Sequence, residues 1–270
     1  MGDSALPARP AGPDDVSGFY DSVADDYHLT VHQQDWREVM EQQGRRLEAV
    51  IGTRLEKPPP WKVLDCSCGI GTQSIGLALR GHHVVGTDLS PRAVERARSE
   101  AALLGVPATF AVADMCRLHL EVEGEFDAVI SCGNSFAHLG TNEVVAASRA
   151  MSTKVASGGI ALVSIRDYDA LAESRPRVPS LPQVHDTPSG RRITFQLWDW
   201  EPDASAYSMT WIFLREGDAG LSASEVTTRL HAHRRSDLTS AFETLGFVAP
   251  KWHLPHAGTA FDPILTAVRP

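Results

Sequence analysis

Four polar side chains stand at the ends of four predicted strands in the first half of this 270-residue chain. They are Asp65, Asp88, Asp114 and Asn134, and each follows a short run of mainly apolar residues. Because the carboxyl ends of parallel strands meet at one edge of an open α/β sheet, these groups are expected to share one ligand-binding crevice. A carboxylate at the end of the second strand can accept both hydroxyls of an adenosine ribose. The pattern therefore indicates a site for an adenosine-containing cofactor.

A glycine-containing turn follows the first of these strands. The segment V-L-D-C-S-C-G-I-G-T at 63–72 runs from a strand into a turn and then a helix, which brings backbone N–H groups and a helix N-terminus against a ligand. Gly69 and Gly71, with Asp88 downstream, also fit part of a dinucleotide fingerprint, although Ser74 replaces its third glycine. An NAD-dependent dehydrogenase is therefore a remote alternative.

The elements that must position these groups alternate between short strands and longer helices. Strands are predicted at 62–66, 83–87, 109–113, 126–132 and 160–165, and helices at 73–80, 91–104 and 143–156. Such alternation is typical of βαβ units and a mostly parallel sheet. The helix at 91–104 has the clearest bounds, with Ser90 as its N-cap, Pro91 at its first position and Gly105 at its end.

The chain before and after this alternation has a different pattern. Residues 1 to about 18 predict a mobile tail, and apolar residues at helical spacing from 21 to 51 predict one or two helices. Residues 171–191 read as irregular. Alternating strands at 193–200 and 206–215 predict an antiparallel hairpin flap, and a last helix at 237–245, capped by Ser236, precedes strands at 247–254 and 259–268.

The predicted organisation has four segments. They are a mobile tail and helical cap at 1–60, a cofactor-binding α/β core at 61–170, a substrate flap at 171–235, and a C-terminal helix and strands that return to the core at 236–270.

Composition excludes several classes of partner. The chain has 25 basic and 34 acidic residues, so its formal net charge is −9 and its surface on average repels nucleic acid and anionic lipid. We therefore expect a small-molecule partner, with no nucleic acid and no membrane, and leave open a homo-oligomer. The four cysteines lie in apolar runs, without a second Cys or His pair at zinc spacing, which predicts a cytoplasmic protein without a metal.

The strand-end groups, the glycine turn and the terminal helix and strands resemble the class I S-adenosylmethionine-dependent methyltransferases. In that family an acid followed by spaced glycines forms the first motif, and the second strand ends in a ribose-binding acid. The resemblance covers 61–170 and 236–270, with Ser67 where many members have the first glycine. It implies an α/β fold with a Rossmann-like, seven-stranded, mostly parallel sheet, an antiparallel last strand, an N-terminal helical cap and a β-hairpin flap.

The cofactor implied by this resemblance is S-adenosylmethionine, with S-adenosylhomocysteine as the product and no metal. The glycine turn would approach the methionine moiety, Asp88 the ribose, and Asp114 with Met115 the adenine. The residues expected to bind the cofactor are Tyr20, Tyr27, Trp36, Asp65, Cys66, Gly69, Gly71, Asp88, Leu89, Asp114, Met115 and Cys132.

Three segments are similar in finer detail to glycine N-methyltransferase and the bacterial glycine/sarcosine methyltransferases. They are 19–27 with Trp36, C-G-N-S-F-A-H-L at 132–139, and I-R-D-Y-D at 165–169. In that family the Asn and the Arg of these motifs hold the carboxylate of the amino-acid substrate, which implies this role for Asn134 and Arg166. A guanidinium that forks onto a carboxylate agrees with it.

The resemblance implies methyl transfer to a small molecule, with N-methylation of an amine or amino-acid-like acceptor. Such a transfer requires positioning and the exclusion of water rather than a nucleophilic side chain. The one proton that the acceptor loses would pass to solvent or through Tyr168 or His138.

Aromatic residues in the flap leave a second acceptor open. Trp198, Trp200 and Trp211 are expected to shape the far side of the pocket, where a surplus of rings could stack on a flat molecule. The alternative is therefore C-methylation of an electron-rich aromatic such as an indole or a phenol. A non-catalytic binding module is a third hypothesis, favoured if the cofactor binds and no acceptor is turned over.

Overall fold

The computed structural model describes residues 15–31, 36–187, 190–217, 220–255 and 262–270. The strands are β1 (Lys62–Asp65), β2 (His83–Asp88), β3 (Ala108–Val112), β4 (Phe126–Ser131), β5 (Val155–Ser164), β6 (Gln183–Thr187), β7 (Gly190–Trp200), β8 (Ala206–Gly217), β9 (Gly220–His231), β10 (Val248–His253) and β11 (Ile264–Val268). The helices are α1 (Val16–Val23), α2 (Tyr27–Val31), α3 (Trp36–Gly52), α4 (Thr72–Ala78), α5 (Pro91–Leu104), α6 (Leu118–Glu121), α7 (Thr141–Ser152), α8 (Tyr168–Ser174) and α9 (Arg235–Thr244), with a 3₁₀ helix at Ser135–His138.

Seven strands form the central sheet in the order β10-β11-β5-β4-β1-β2-β3. The strands from β5 to β3 are parallel to their neighbours, whereas β11 is antiparallel to both β5 and β10. The predicted fold class is confirmed, including the antiparallel last strand. Because β1, β2, β3 and β4 point the same way, their carboxyl ends share one edge of the sheet.

Helix α5 has the predicted bounds, 91–104. The Ser90 hydroxyl accepts a hydrogen bond from the Ala93 N–H at 3.0 Å, and Gly105 ends the helix in the left-handed region, with φ 65°. Helix α5 follows β2 directly, so this N-cap also fixes the chain where the ribose-binding acid was predicted.

Helix α3 crosses α4 at two glycines. A Cβ on Gly44 would lie 2.2 Å from the Gly76 carbonyl oxygen, and a Cβ on Gly76 would lie 2.2 Å from the Met40 oxygen. Only glycine at both positions allows this approach. The close crossing brings Gln43 and Arg46 of α3 to the same edge of the sheet as the glycine turn.

The flap is a larger structure than the predicted hairpin. Strands β6, β7, β8 and β9 form a four-stranded antiparallel sheet, in which β7 and β8 are the predicted pair. The prediction that 171–191 is irregular was wrong, since part of α8 and all of β6 fall there, and β9 was not predicted. Strands β6 and β9 lie at the edges of this sheet. No residue of β6 is buried and the first six residues of β9 are exposed, so these strands lack the alternating apolar pattern of a half-buried strand.

Two predicted boundaries need correction. Residues 15–18 are not part of a tail, because Asp15 caps α1 by accepting a hydrogen bond from the Gly18 N–H at 2.8 Å, while 1–14 lie outside the described residues. Ser236 is not the cap of the last helix, which begins at Arg235. The Asp237 carboxylate accepts a hydrogen bond from the Arg234 N–H at 2.9 Å and sets the start there.

The last predicted strand, 259–268, is described only from residue 262, and its ladder runs over Ile264–Val268. Among the described residues, no helix is long and apolar enough to cross a membrane.

Candidate active site

A cavity of about 990 Å³ opens at the carboxyl edge of the parallel sheet. Its walls come from the turns after β1 to β4, from the cap formed by α1, α2 and α3, and from β9 and the start of β11. Of the four predicted strand-end groups, Asp88 and Asp114 line this cavity. Asp65 and Asn134 are buried beside it instead.

Asp88 is fixed at the end of β2 by two backbone donors. Its Oδ2 accepts a hydrogen bond from the Gly69 N–H at 2.8 Å, and its Oδ1 accepts one from the Ser90 N–H at 2.9 Å. Burial raises the pKa of this carboxyl group, and the hydrogen bonds from Ser90 and Gly69 oppose that shift. Each oxygen retains lone pairs toward the cavity, where a diol could donate to both.

Asp65 supports the glycine turn from behind. It is fully buried, accepts a hydrogen bond from the Ser74 hydroxyl at 2.7 Å, and has a pKa that burial raises to about 7. The Cys66 thiol donates to the Ile130 carbonyl oxygen, and a Cβ on Gly71 would meet the Ile75 side chain at 2.9 Å. These three predicted cofactor residues shape the turn, whereas Gly69 faces the cavity.

The predicted adenine residues, Asp114 and Met115, line the cavity, as does the predicted cofactor residue Leu89. Leu89 is 44% exposed and Met115 is partly buried, so both present apolar surface. The Asp114 carboxylate accepts a hydrogen bond from the Cys116 N–H at 2.8 Å, which fixes the turn after β3. A flat heterocycle could pack between these side chains. Cys132, after β4, also lines the cavity.

The cap contributes the rings of Tyr20, Tyr27 and Trp36 to the cavity wall. The ring centroids of the two tyrosines lie 6.0 Å apart. Polar contacts attach the cap to its neighbours: the Ser90 hydroxyl donates to Asp21 at 2.5 Å, and Asp26 pairs with Arg215 of β8 at 2.5 Å.

His138 and Tyr20 form a hydrogen-bonded pair at the wall. The Tyr20 hydroxyl lies 2.9 Å from His138 Nε2, and the Thr228 hydroxyl lies 3.4 Å from His138 Nδ1. Burial, together with electrostatic repulsion from Arg166 and His231, lowers the pKa of His138 to about 3. Burial raises the pKa of Tyr20 well above its ordinary value. Both side chains are therefore neutral at physiological pH.

Asn134, Arg166 and Tyr168 belong to a buried polar network beside the cavity. Asn134 donates to the Tyr168 hydroxyl at 2.9 Å and accepts from the Arg166 N–H at 3.0 Å. The Arg166 guanidinium donates to the Tyr207 hydroxyl at 2.6 Å and lies 4.7 Å from the centroid of the Trp198 ring. The described lining of the cavity includes none of these residues.

The described cavity lining includes none of the three flap tryptophans. The Trp198 and Trp200 rings lie 4.6 Å from the Tyr207 ring, and Trp200 Nε1 donates to a backbone carbonyl at 3.1 Å. Trp211 packs on Phe19 at 5.3 Å between centroids. These rings join the antiparallel sheet to the cap and core.

Several lining residues were not predicted. Gln43 and Arg46 of α3, Glu143 of α7, Arg229 and His231 of β9, and Asp262 before β11 all face the cavity. The α3 pair had a readable signal, because Gln43 and Arg46 follow the buried Val39 by four and seven residues and so place polar groups on the buried face of a helix. The others come from segments distant in sequence and gave no local signal.

The lining fits the implied cofactor. Asp88 and Gly69 match a ribose and a methionine backbone, Leu89 and Met115 match an adenine, and Arg46 offers a cation for a carboxylate. Within the described residues, no group of three or more His, Cys, Asp or Glu side chains could hold a metal ion.

Comparison with known proteins supports this assignment. Residues 63–159 match the methyltransferase domain family. The ubiquinone biosynthesis O-methyltransferase of Chromobacterium violaceum is 36% identical over 111 residues, which is 41% of this chain and 47% of that protein. The glycine/sarcosine N-methyltransferase of Parasynechococcus marenigrum is 39% identical over 116 residues, which is 41% and 40% respectively. The match thus spans less than half the length of these relatives.

The fold is shared by the amino pentose methyltransferase CalS10 of Micromonospora echinaspora, solved with S-adenosylmethionine bound. Its TM-score is 0.68 at 19% identity, over 91% of this chain and 95% of that one. The sheet order, the cavity and the matched domain define a methyltransferase fold of the S-adenosylmethionine-dependent class. Residues 63–159 are thus similar to a methyltransferase domain, and the relatives that the chain resembles include glycine/sarcosine N-methyltransferases.

Proposed function

We propose that this chain methylates the nitrogen of a small amine or amino-acid-like acceptor with S-adenosylmethionine. The observation that carries the proposal is the neutral Tyr20–His138 pair on the cavity wall. An amine attacks through its own lone pair, so its neighbours need only hold it in place and need not take a proton in the transition state. A wall of neutral hydrogen-bonding groups suits that task.

The cofactor site would use residues already fixed by the fold. Asp88 would accept hydrogen bonds from the ribose hydroxyls, Leu89 and Met115 would contact the adenine, and Gly69 with Arg46 would hold the methionine end. When bound there, S-adenosylmethionine supplies a methyl group on a positively charged sulfur.

The protein itself positions the acceptor and excludes water from the cavity. The Tyr20 and Tyr27 rings cover the cavity from the cap and exclude water. The acceptor nitrogen forms the new N–C bond while the S–C bond breaks and its electron pair stays on sulfur. The ammonium product then loses its proton to water after transfer, so His138 needs no raised basicity.

How the protein would hold a carboxylate on the acceptor is a separate question. Asn134 and Arg166 were predicted to hold a carboxylate, and this remains a prediction. In this structure Arg166 is engaged with Tyr207 and Trp198, so binding a carboxylate would require it to turn toward the cavity.

The aromatic alternative depended on the flap rings. Trp198 and Trp211 are almost completely buried, and all three tryptophans pack into the core between the two sheets. Ring methylation also needs a base for the ring proton, and a histidine with a pKa lowered to about 3 is poorly suited to it. The geometry therefore favours an amine.

An acceptor panel tests the proposal. The purified chain would be incubated with S-adenosylmethionine and, separately, with glycine, sarcosine, glucosamine, indole and catechol, and methylated products would be identified by mass spectrometry. We expect N-methylation of at least one of the three amines. Transfer to indole or catechol with none to an amine would establish the aromatic alternative instead. Asp88→Asn serves as the control for cofactor-dependent signal.

A further inference from the structure

Three side chains from distant segments form a series of hydrogen-bond contacts that ends at the wall of the cavity. Thr228 of β9 contacts His138 Nδ1, and His138 Nε2 contacts the Tyr20 hydroxyl of α1. Thr228 is completely buried, whereas Tyr20 and His138 both line the cavity. The order of donors along this series determines what Tyr20 presents to a ligand.

The geometry favours one order. The Tyr20 hydroxyl lies 2.9 Å from Nε2, which is shorter than the 3.4 Å between the Thr228 hydroxyl and Nδ1. A phenol is also a stronger hydrogen-bond donor than an aliphatic hydroxyl, because it is the more acidic group. The Tyr20 O–H therefore donates to Nε2. A neutral imidazole then has its proton on Nδ1, which donates to Thr228 Oγ1.

If His138 were a cation, both of its ring nitrogens would donate, and the Tyr20 O–H could no longer donate to Nε2. The charged and titratable groups that act on His138 are Arg166, after β5, and His231 on β9, and both disfavour a second positive charge there. His138 therefore stays neutral, and the Tyr20 O–H at Nε2 selects the tautomer whose Nδ1–H donates to Thr228.

This order matters for an amine acceptor. If Tyr20 pointed its O–H into the cavity, it would donate to the amine lone pair, the electrons that must attack the methyl group. Because its proton is directed at His138, Tyr20 shows the cavity only oxygen lone pairs, which can accept an N–H and leave the amine lone pair free.

We propose that Thr228, acting through Nδ1 of His138, fixes the Tyr20 hydroxyl as the acceptor for the N–H of a primary or secondary amine. Tyr20 is the group that would touch the substrate, and Thr228 and His138 are positioning residues. The inference rests on the proposed function and narrows its acceptor: a tertiary amine such as N,N-dimethylglycine has no free N–H and is expected to be a poor substrate.

The tautomer can be measured without any acceptor. In the full chain labelled with ¹⁵N-histidine, with the His138 signals assigned by their loss in His138→Gln, we expect a protonated Nδ1 and an unprotonated Nε2 throughout pH 6–8. A protonated Nε2 would overturn the proposal, whatever the activity.

Kinetics test the consequence. With glycine, sarcosine and glucosamine as probes, Thr228→Val should lower kcat about fivefold, the effect of one misdirected hydrogen bond, with KM for S-adenosylmethionine unchanged. Thr228→Ser keeps the hydroxyl and should restore the rate.

Thr227→Val is the matched control. It removes a hydroxyl from the same strand that pairs with Thr210 at 2.9 Å rather than with His138, and it should leave kcat unchanged. Equal losses in Thr227→Val and Thr228→Val would contradict the positioning role. If no amine probe is methylated by the wild type, the proposed function fails, and the tautomer measurement still decides the arrangement of the three side chains.

Discussion

Replacing Asp88 with Asn tests the cofactor site most directly. The Asp88 carboxylate already accepts the N–H groups of Gly69 and Ser90, and its remaining lone pairs would take the two ribose hydroxyls. An asparagine has the same shape but one oxygen. Its NH₂ group must therefore face either a backbone donor or a ribose hydroxyl, and the charge of the acceptor is lost.

The expected cost follows from hydrogen bonds to a charged group, about 1.5–3 kcal/mol each. The variant loses one such hydrogen bond, and its NH₂ group faces another donor. We therefore expect the binding free energy of S-adenosylmethionine to weaken by about 3 kcal/mol, which is roughly a 100-fold rise in Kd. Isothermal titration calorimetry on Asp88→Asn and the wild type measures it. Because burial raises the pKa of Asp88, the wild-type affinity should also weaken on acidification sooner than for an exposed carboxylate.

Asp127→Asn is the matched control. Asp127 also accepts a backbone N–H, that of Lys62 at 2.8 Å, but it lies near the start of β4, at the opposite edge of the sheet. Its variant should bind the cofactor normally. An affinity of Asp88→Asn within threefold of the wild type, or tighter binding of NAD than of S-adenosylmethionine, would refute the assignment of the crevice.

Three further outcomes are expected. The pKa of Asp65 is about 7 in the folded protein against about 3.9 when unfolded, so the free energy of unfolding should fall by on the order of 3 kcal/mol from pH 4 to pH 7. Denaturant titrations should show a much smaller fall in Asp65→Asn, and an equal one would contradict the shift. Turnover should survive dialysis against a chelator, because a sulfonium leaves as a neutral thioether and needs no Lewis acid; a rate restored only by added magnesium or zinc would show otherwise. Arg166→Lys should lower the free energy of unfolding by about 1–3 kcal/mol through its lost contacts with Tyr207 and Trp198, whereas an increased KM for glycine at unchanged stability would show that Arg166 holds the acceptor.

The central fold was predictable because its signals are local. Helix α5 carries its cap, its first-turn proline and its terminal glycine within 16 residues, and β1 is a buried run that leads into the glycine turn. The antiparallel sheet was only half predictable. In β9 the side chains of the first six residues are exposed, so the strand is specified by its ladder to β8, a partner that no local pattern names.

The residues of the candidate site also divide into those whose position the sequence predicts and those whose position it does not. Asp88 and Asp114 were found because a parallel sheet places the ends of successive strands together, a rule that a sequence can apply. Asp65 also ends a parallel strand, but it lies behind the cavity wall, where the Ser74 hydroxyl donates to it. The position at a strand end alone does not show whether a side chain lines the cavity or lies behind its wall. Arg166 was predicted from its motif to meet a substrate, and its engagement by Tyr207 depends on a strand 41 residues further along the chain.

The two ends of the cavity are therefore built by different means, and this bears on acceptor choice. The proposed cofactor end uses the ends of parallel strands, with Asp88 held by two backbone donors. The proposed reacting end is assembled from α1, the 3₁₀ helix and β9, which meet through the contacts of Tyr20, His138 and Thr228. A change in any one of these three segments alters what the acceptor meets without disturbing the cofactor crevice. The identity of the acceptor must therefore be sought at the proposed reacting end.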